Sequence, residues 1–96
     1  MIYFDSAATT FQKPRSVTAA VEDALATMSS PGRGGYGAAM RAADTAFACR
    51  EELAELYHLK SPEQVVFTMN ATHALNIAVK SLVPKGGRAV ISGYEH

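Results

Sequence analysis

This sequence lacks an excess of charge of one sign, a second cysteine and any long apolar run. Nine acidic and nine basic side chains give a formal net charge of +0 over 96 residues. Without a basic excess to displace counterions, a nucleic-acid partner is not expected. No apolar run approaches the roughly 18 residues that span a membrane, and MIYFDSAATT lacks the basic region and apolar core of a signal peptide. A single cysteine cannot form an internal disulfide, which favours a reducing, cytoplasmic location. These absences predict at most one soluble domain, with neither nucleic acid nor membrane as partner.

Three helical patterns are present. Lys13-Pro14 begins the first, because the fixed φ of proline suits the first helical position, and apolar residues follow at three- and four-residue steps as far as Met28. The glycine-rich loop at residues 32–37 (GRGGYG) leads into the second pattern, at about residues 38–57. The third begins after Asn70 and is closed by Pro84-Lys85-Gly86-Gly87.

The second helical pattern carries a stripe of small and apolar residues that predicts its buried face. The cysteine on this stripe is therefore expected to be a small core residue and not a nucleophile. The stripe consists of Ala39, Ala42, Ala46, Cys49, Leu53 and Leu56.

Short β-prone runs at residues 2–4, 64–68 and 88–92 predict strands. The order of strand 64–68, helix and strand 88–92, with short joints, predicts a βαβ unit with a parallel pair and a right-handed crossover. Parallel sheets are normally covered on both faces and contain more strands than this. We therefore expect an incomplete α/β fold, which belongs to something larger or completes itself by oligomerising.

The segment TMNATHALN, residues 68–76, joins a predicted strand to the third helix. With Asn70 as N-cap, Ala71, Thr72 and His73 form the first turn, where backbone amides lack intrahelical acceptors. The helix dipole adds roughly half a positive charge there, so a phosphate group would gain amide hydrogen bonds and the Thr72 hydroxyl. Two interpretations are open from these residues: Asn70 only caps the helix, or the turn binds a phosphate group. The GxxxxGK[ST] motif is absent, and GRGGYG follows a helix instead of the strand that a dinucleotide fingerprint requires.

His96 lies just past the predicted strand 88–92. Sites of α/β folds form at the carboxyl ends of parallel strands, where His96 would share one crevice with the start of the third helix. The alternative is a solvent-exposed histidine at a frayed terminus.

Five motifs occur in order along the chain: IYFDSAATT, KPRSV, PGRGGYG, VVFTMNATHALN and the S-x-x-E-H of residues 92–96. In this order and spacing the chain resembles the N-terminal part of the class V aminotransferases, which are fold-type I pyridoxal-phosphate enzymes. Within that family it is most similar to cysteine desulfurases and selenocysteine lyases. The resemblance implies an N-terminal arm at residues 1–14 and the beginning of the cofactor-binding large domain at residues 15–96.

The resemblance also implies roles for the residues around the cofactor, pyridoxal 5′-phosphate. Ala71, Thr72 and His73 match the turn that holds the cofactor phosphate. His96 matches the histidine that stacks on the pyridine ring and serves in proton transfer, which makes it the candidate catalytic residue.

Further residues match the substrate side of the family's site. Ala7 and Ala8 resemble the arm that lines the substrate pocket, and Arg33 matches a residue of the family's loop near the active site at the interface of a homodimer. The implied reaction converts L-cysteine to L-alanine and transfers sulfur to an enzyme cysteine as persulfide, for which a sulfur-acceptor protein is a further partner. No metal site is predicted.

Three required groups of that family match no residue here: the lysine that holds the cofactor covalently, the aspartate that pairs with the pyridine nitrogen, and the sulfur-accepting cysteine. The chain alone is therefore expected to be inactive. Two other interpretations are open, namely a class V aminotransferase acting on another amino acid, against which His96 argues, and a non-catalytic oligomerisation or interaction module. The four lysines are expected to be solvated; they are Lys13, Lys60, Lys80 and Lys85.

Overall fold

The computed structural model describes residues 1–94, and over that range it contains three α-helices and one short 3₁₀ helix. These are α1 (Arg15–Thr27), α2 (Gly37–Leu56), the 3₁₀ helix Pro62–Gln64 and α3 (Ala71–Leu82). Each predicted helix is confirmed, with ends close to those expected. Contacts divide the chain into two compact units, Met1–Gln64 and Val65–His96.

Helix α1 begins at Arg15, one residue after the proline that was predicted as its first position. Pro14 is the N-cap, and its carbonyl accepts from the Val17 amide at 3.0 Å. An ion pair joins α1 to α2 in the first unit, since Arg41 Nη2 lies 3.3 Å from Asp23 Oδ2. Both side chains are more than half exposed, so this pair contributes little to stability.

Helix α2 ends in a Schellman motif, which satisfies the carbonyls left open at a helix end. The Leu59 amide donates to the Ala54 carbonyl at 2.8 Å, and the His58 amide donates to the Glu55 carbonyl at 3.1 Å. This geometry places His58 in the left-handed region, with φ of 53°. The chain then returns along α2, and the 3₁₀ helix packs against it.

The buried face of α2 differs from the predicted stripe in its second half. Ala39 is fully buried, but Cys49 and Leu56 are exposed, and Ala54 is buried in their place. The predicted stripe repeats every 3.5 residues on average, whereas a straight α-helix has 3.6 residues per turn and drifts by about 20° per heptad. Along α2 this drift turns Ala54 inward and Cys49 outward. The expectation that Cys49 is a core residue is therefore wrong.

The βαβ unit is not confirmed, because residues 1–94 contain no β-strand. The segments 64–68 and 88–92 are irregular apart from the end of the 3₁₀ helix, and Val66, Phe67, Val90 and Ile91 are exposed. A strand is defined by hydrogen bonds to a neighbouring strand, and a parallel pair becomes stable within a larger sheet that is covered on both faces. Within residues 1–94 no larger sheet is present to stabilise such a pair.

The second unit consists of α3 and the segments on either side of it. Helix α3 ends at Leu82, and its C-cap is Val83, whose amide donates to the Val79 carbonyl at 3.0 Å. A turn follows, in which the Gly87 amide donates to the Pro84 carbonyl at 2.8 Å. No helix within residues 1–94 combines the length and the apolar character needed to cross a membrane.

Candidate functional site

The N-terminus of α3 has the cap that the sequence predicts. Asn70 is extended, with φ of −168° and ψ of 174°, and its side-chain Oδ1 accepts from the His73 amide at 2.8 Å. The Asn70 carbonyl accepts from the Ala74 amide at 3.1 Å and from the Thr68 hydroxyl at 3.0 Å. These three contacts hold the junction between the apolar segment and the helix in one conformation.

Two amides of the first turn remain available to a ligand. Within residues 1–94, no acceptor lies within hydrogen-bond distance of the Ala71 or Thr72 amide, and both residues are exposed. The Thr72 hydroxyl is likewise without a partner in the described structure, since the contact at this residue is between its carbonyl and Asn76 Nδ2, at 3.0 Å. Two amides, one hydroxyl and the positive end of a helix dipole form a donor set suited to a phosphate group.

His73 differs from its two neighbours. Its amide already donates to Asn70, so the group it can offer to a ligand is its exposed imidazole. The three residues that are predicted to hold the phosphate thus offer different groups to a ligand. Ala71 and Thr72 present free amides, and His73 presents a side chain.

His96, the predicted ring-stacking and catalytic residue, lies outside the described residues, as does Glu95. The residues just before them, from Arg88 to Tyr94, are irregular and exposed.

The arm at the N-terminus is organised by Tyr3. The Tyr3 hydroxyl lies 2.7 Å from the Thr9 carbonyl and 3.1 Å from the Asp5 carbonyl, and its ring lies 5.4 Å from the ring of Phe11. A turn closes between these contacts, because the Ala8 amide donates to the Asp5 carbonyl at 3.1 Å. This arrangement leaves Ala7 and Ala8 exposed at the turn.

A small cavity of about 190 Å³ lies beside this turn. It is lined by Met1, Tyr3, Ser6, Thr10, Phe11 and Gln12. Ala7 and Ala8 are therefore not lining residues of the cavity within the described arm.

Arg33 lies in the loop between α1 and α2, and it is exposed. Gly32 directly before it has φ of 74°, a conformation that glycine adopts without strain. Tyr36, the N-cap of α2, places its hydroxyl against the Ser29 hydroxyl across this loop. That pair could not be predicted from the sequence, since no local spacing rule links a serine to a tyrosine seven residues later.

The structure brings together the residues of the α3 turn and leaves the remaining candidates on separate segments. Ala71, Thr72 and His73 share one helical turn in the second unit, whereas Ala7, Ala8 and Arg33 belong to the first unit. The four lysines are exposed, as predicted. Lys13 uses its ammonium group to donate to the Thr10 carbonyl.

Comparison with known proteins gives a match to one family over nearly the whole chain. The sequence profile of the family described as "Aminotransferase class-V" matches residues 2–96. No solved structure gives a significant match to the chain.

Several curated relatives carry related names. A "Probable cysteine desulfurase" of Synechocystis sp. is 35% identical over 85 residues, which is 84% of this chain and 19% of that protein. A "Probable cysteine desulfurase" of Halalkalibacterium halodurans is 33% identical over 101 residues, which is 100% of this chain and 25% of that protein. One with the same description from Methanothermobacter thermautotrophicus is 33% identical and is matched by 99% of this chain, over 24% of its own length. The chain thus spans between 19% and 25% of the length of these relatives.

Proposed function

The chain belongs to the class V aminotransferase family, and on that premise we propose that it is the phosphate-binding segment of a pyridoxal-phosphate-dependent cysteine desulfurase. The proposed reaction converts L-cysteine to L-alanine and transfers the sulfur to an enzyme cysteine as persulfide. The names of the curated relatives support a desulfurase over an aminotransferase that acts on another amino acid.

The observation that carries this proposal is the free donor set at the start of α3. A phosphate ester needs several donors and a positive field, and the Ala71 amide, the Thr72 amide and the Thr72 hydroxyl supply them together. Ala71 has a methyl side chain, which allows close approach of the anion. The residues present therefore fit the phosphate of pyridoxal phosphate, which when bound supplies an electron sink for bonds at the α-carbon of an amino acid.

The chain's own part in the reaction is binding and orientation. In the proposed enzyme, Ala71 and Thr72 anchor the phosphate, and the imidazole of His73 lies beside it. His96 covers the pyridine ring and moves a proton, while Ala7, Ala8 and Arg33 belong to the substrate side of the site. A group pinned at both its phosphate and its ring is held in a reactive orientation, which contributes to rate by proximity.

The proposal also extends to the fold and the assembly. Segments 64–68 and 88–92 become strands of a parallel sheet when further strands pair with them, and residues 1–14 form an arm ahead of the large domain at residues 15–96. The enzyme is proposed to act as a cytoplasmic homodimer and to pass sulfur to an acceptor protein. The lysine that holds the cofactor covalently matches none of the four exposed lysines, so the chain alone is proposed to be inactive.

Titration of the ¹⁵N-labelled chain with pyridoxamine 5′-phosphate tests the proposed phosphate site. This probe keeps the ring and phosphate and lacks the aldehyde, so it cannot react with lysines. The Ala71 and Thr72 amide resonances are expected to shift in a saturable way, with a smaller shift at His73, whose amide is already bonded to Asn70. Inorganic phosphate should compete with the probe.

The variant Thr72→Ala measures how much the Thr72 hydroxyl contributes to the affinity for the phosphate group. Loss of one hydrogen bond to a charged group should weaken binding by about 1–3 kcal/mol, and Thr72→Ser, which keeps the hydroxyl, should bind nearly as the wild type does. Equal affinity in the wild type and Thr72→Ala would count against the role of Thr72. The absence of any response at Ala71 and Thr72 would remove the basis of the proposed function.

A further inference from the structure

One hydrogen bond just before α3 is not needed for the helix cap. The hydroxyl of Thr68, a half-buried residue, donates to the Asn70 carbonyl at 3.0 Å. That carbonyl already has its helical partner, the Ala74 amide at 3.1 Å, and the Asn70 side chain already accepts the His73 amide. The cap is therefore complete without Thr68, whose hydroxyl adds a second donor to the same carbonyl oxygen.

The Asn70 carbonyl belongs to the same peptide group as the Ala71 amide. This peptide bond is trans and planar, so its C=O and its N–H point in opposite directions. The Ala71 amide has no acceptor within residues 1–94, and the hydrogen bonds of this peptide group are therefore all at its carbonyl end. Donors that hold the carbonyl also fix the direction in which the Ala71 N–H points.

The second donor has two consequences for an anion that binds the Ala71 amide. A carbonyl that accepts more hydrogen bonds is more strongly polarised, which makes the N–H of its peptide group a stronger donor. A donor whose direction is set beforehand also loses less freedom when the ligand binds. Both consequences increase the affinity of the Ala71 amide for a phosphate oxygen.

We propose that Thr68 is a positioning residue of the phosphate site, which aims the Ala71 amide at the phosphate group by holding the Asn70 carbonyl. This inference rests on the proposed function and adds to its site a residue that precedes the helix. Thr68 does not touch the phosphate, because its hydroxyl proton is donated to Asn70. It acts through one peptide group.

Asn76 provides a matched comparison within the same turn of α3. Its Nδ2 donates to the Thr72 carbonyl at 3.0 Å, the same distance as that from the Thr68 hydroxyl to Asn70. The Thr72 carbonyl shares its peptide group with the His73 amide, which already donates to Asn70. Asn76 thus holds a peptide group whose N–H is not available to an anion, whereas Thr68 holds one whose N–H is available.

Titration of the ¹⁵N-labelled chain with inorganic phosphate and with pyridoxamine 5′-phosphate tests this inference. Thr68→Val keeps the branched shape and lacks the hydroxyl. Its dissociation constant should rise roughly threefold to tenfold, the contribution of one neutral hydrogen bond. The shift of the Ala71 amide at saturation should become smaller, while that of the Thr72 amide is retained. Thr68→Ser should restore the wild-type affinity, and Asn76→Ala should bind as the wild type does.

Hydrogen exchange of the α3 amides separates positioning from general destabilisation. Thr68→Val should leave the exchange rates unchanged, because the bonds from the Ala74 and His73 amides to Asn70 remain. If Thr68→Val loses helix, Thr68→Ala replaces it in the titration, since it also lacks the hydroxyl and adds no apolar surface.

Two results would overturn the inference while leaving the proposed function in place. One is the same affinity and the same Ala71 shift in Thr68→Val as in the wild type. The other is an equal loss of response at Ala71 and Thr72, which would show that Thr68 acts on the whole turn and not on one peptide group. No response of either amide in the wild type would instead remove the proposed function, and this inference with it.

Discussion

Asn70 has two roles at the start of α3, and they respond differently to substitution. Its side chain accepts the His73 amide and stabilises the helix, and by occupying that amide it leaves Ala71 and Thr72 as the donors for an anion. Replacing Asn70 therefore changes the stability of the helix and the charge beside the proposed phosphate site. The two effects need not have the same sign.

Asn70→Asp should keep the helix and weaken the proposed phosphate site. Aspartate is as good an N-cap as asparagine, and its charge interacts favourably with the helix dipole. That same charge repels a phosphate a few ångströms away by at least about 1 kcal/mol, which corresponds to a several-fold loss of affinity. Hydrogen exchange of the α3 amides measures the first effect, and titration with inorganic phosphate measures the second.

Asn70→Ala is the matched control for the aspartate variant. Loss of the cap should lower the stability of α3 by about 1 kcal/mol, while the His73 amide becomes free to bind the anion. Asn70→Asp is thus expected to impair binding more than Asn70→Ala, and Asn70→Ala to impair the helix more than Asn70→Asp. If both variants lowered both properties in parallel, the separation of capping from binding would be wrong.

At the scale of elements, the helices could be predicted from the sequence because their signals are local. Pro14 and Asn70 mark helix starts by the conformation and hydrogen bonding of a few neighbouring residues, and both mark them correctly. The segments 64–68 and 88–92 have a strand-like composition, but a strand also needs a partner that no local pattern supplies. The prediction that Cys49 is buried was wrong because it assumed that one stripe stays on one face along the whole helix. A stripe does so only if its repeat equals the 3.6 residues per turn of the helix.

In the candidate site, too, the features that depend on local interactions could be predicted and those that depend on distant contacts could not. The capped turn with free amides at Ala71 and Thr72 follows from eight or so residues of sequence, because capping is a local interaction. The contacts of Tyr3 with Thr9 and of Tyr36 with Ser29 depend on the path of a loop, and loop paths are not encoded in a periodic pattern.

His58→Gly should stabilise the end of α2. His58 has φ of 53°, a conformation that costs a residue with a Cβ roughly 1–2 kcal/mol and costs glycine almost nothing. Part of that gain is offset because glycine makes the unfolded chain more flexible, so a net gain of up to about 1 kcal/mol is expected. Thermal unfolding followed by circular dichroism measures it.

Tyr57→Gly is the control at the neighbouring position. Tyr57 has φ of −96° and gains no relief from glycine, so this variant should lower the melting temperature. A decrease of similar size in both variants would show that the conformation of His58 is not strained in solution.

At the scale of the whole molecule, the described residues have little buried apolar surface. Ala39 and Ala54 are the buried hydrophobic residues among them, while large apolar side chains are exposed on each of the three α-helices. Val90 is 98% exposed and Ile91 is 81% exposed, in a segment whose composition suits a strand. Exposed apolar surface of this extent favours association, and a strand-prone segment that forms no strand within residues 1–94 is suited to pairing with a second copy.

The chain should therefore associate with itself through residues 88–92, and sedimentation equilibrium at several concentrations should give an average mass that rises above the monomer mass. Ile91→Lys should reduce this association, because a charged side chain on an edge segment opposes pairing. Leu25→Lys is the matched control, since Leu25 is 83% exposed on α1, outside that segment. A monomer at every concentration would contradict the prediction of association. An equal reduction by both variants would show that association depends on exposed apolar surface in general, and not on strand pairing at residues 88–92.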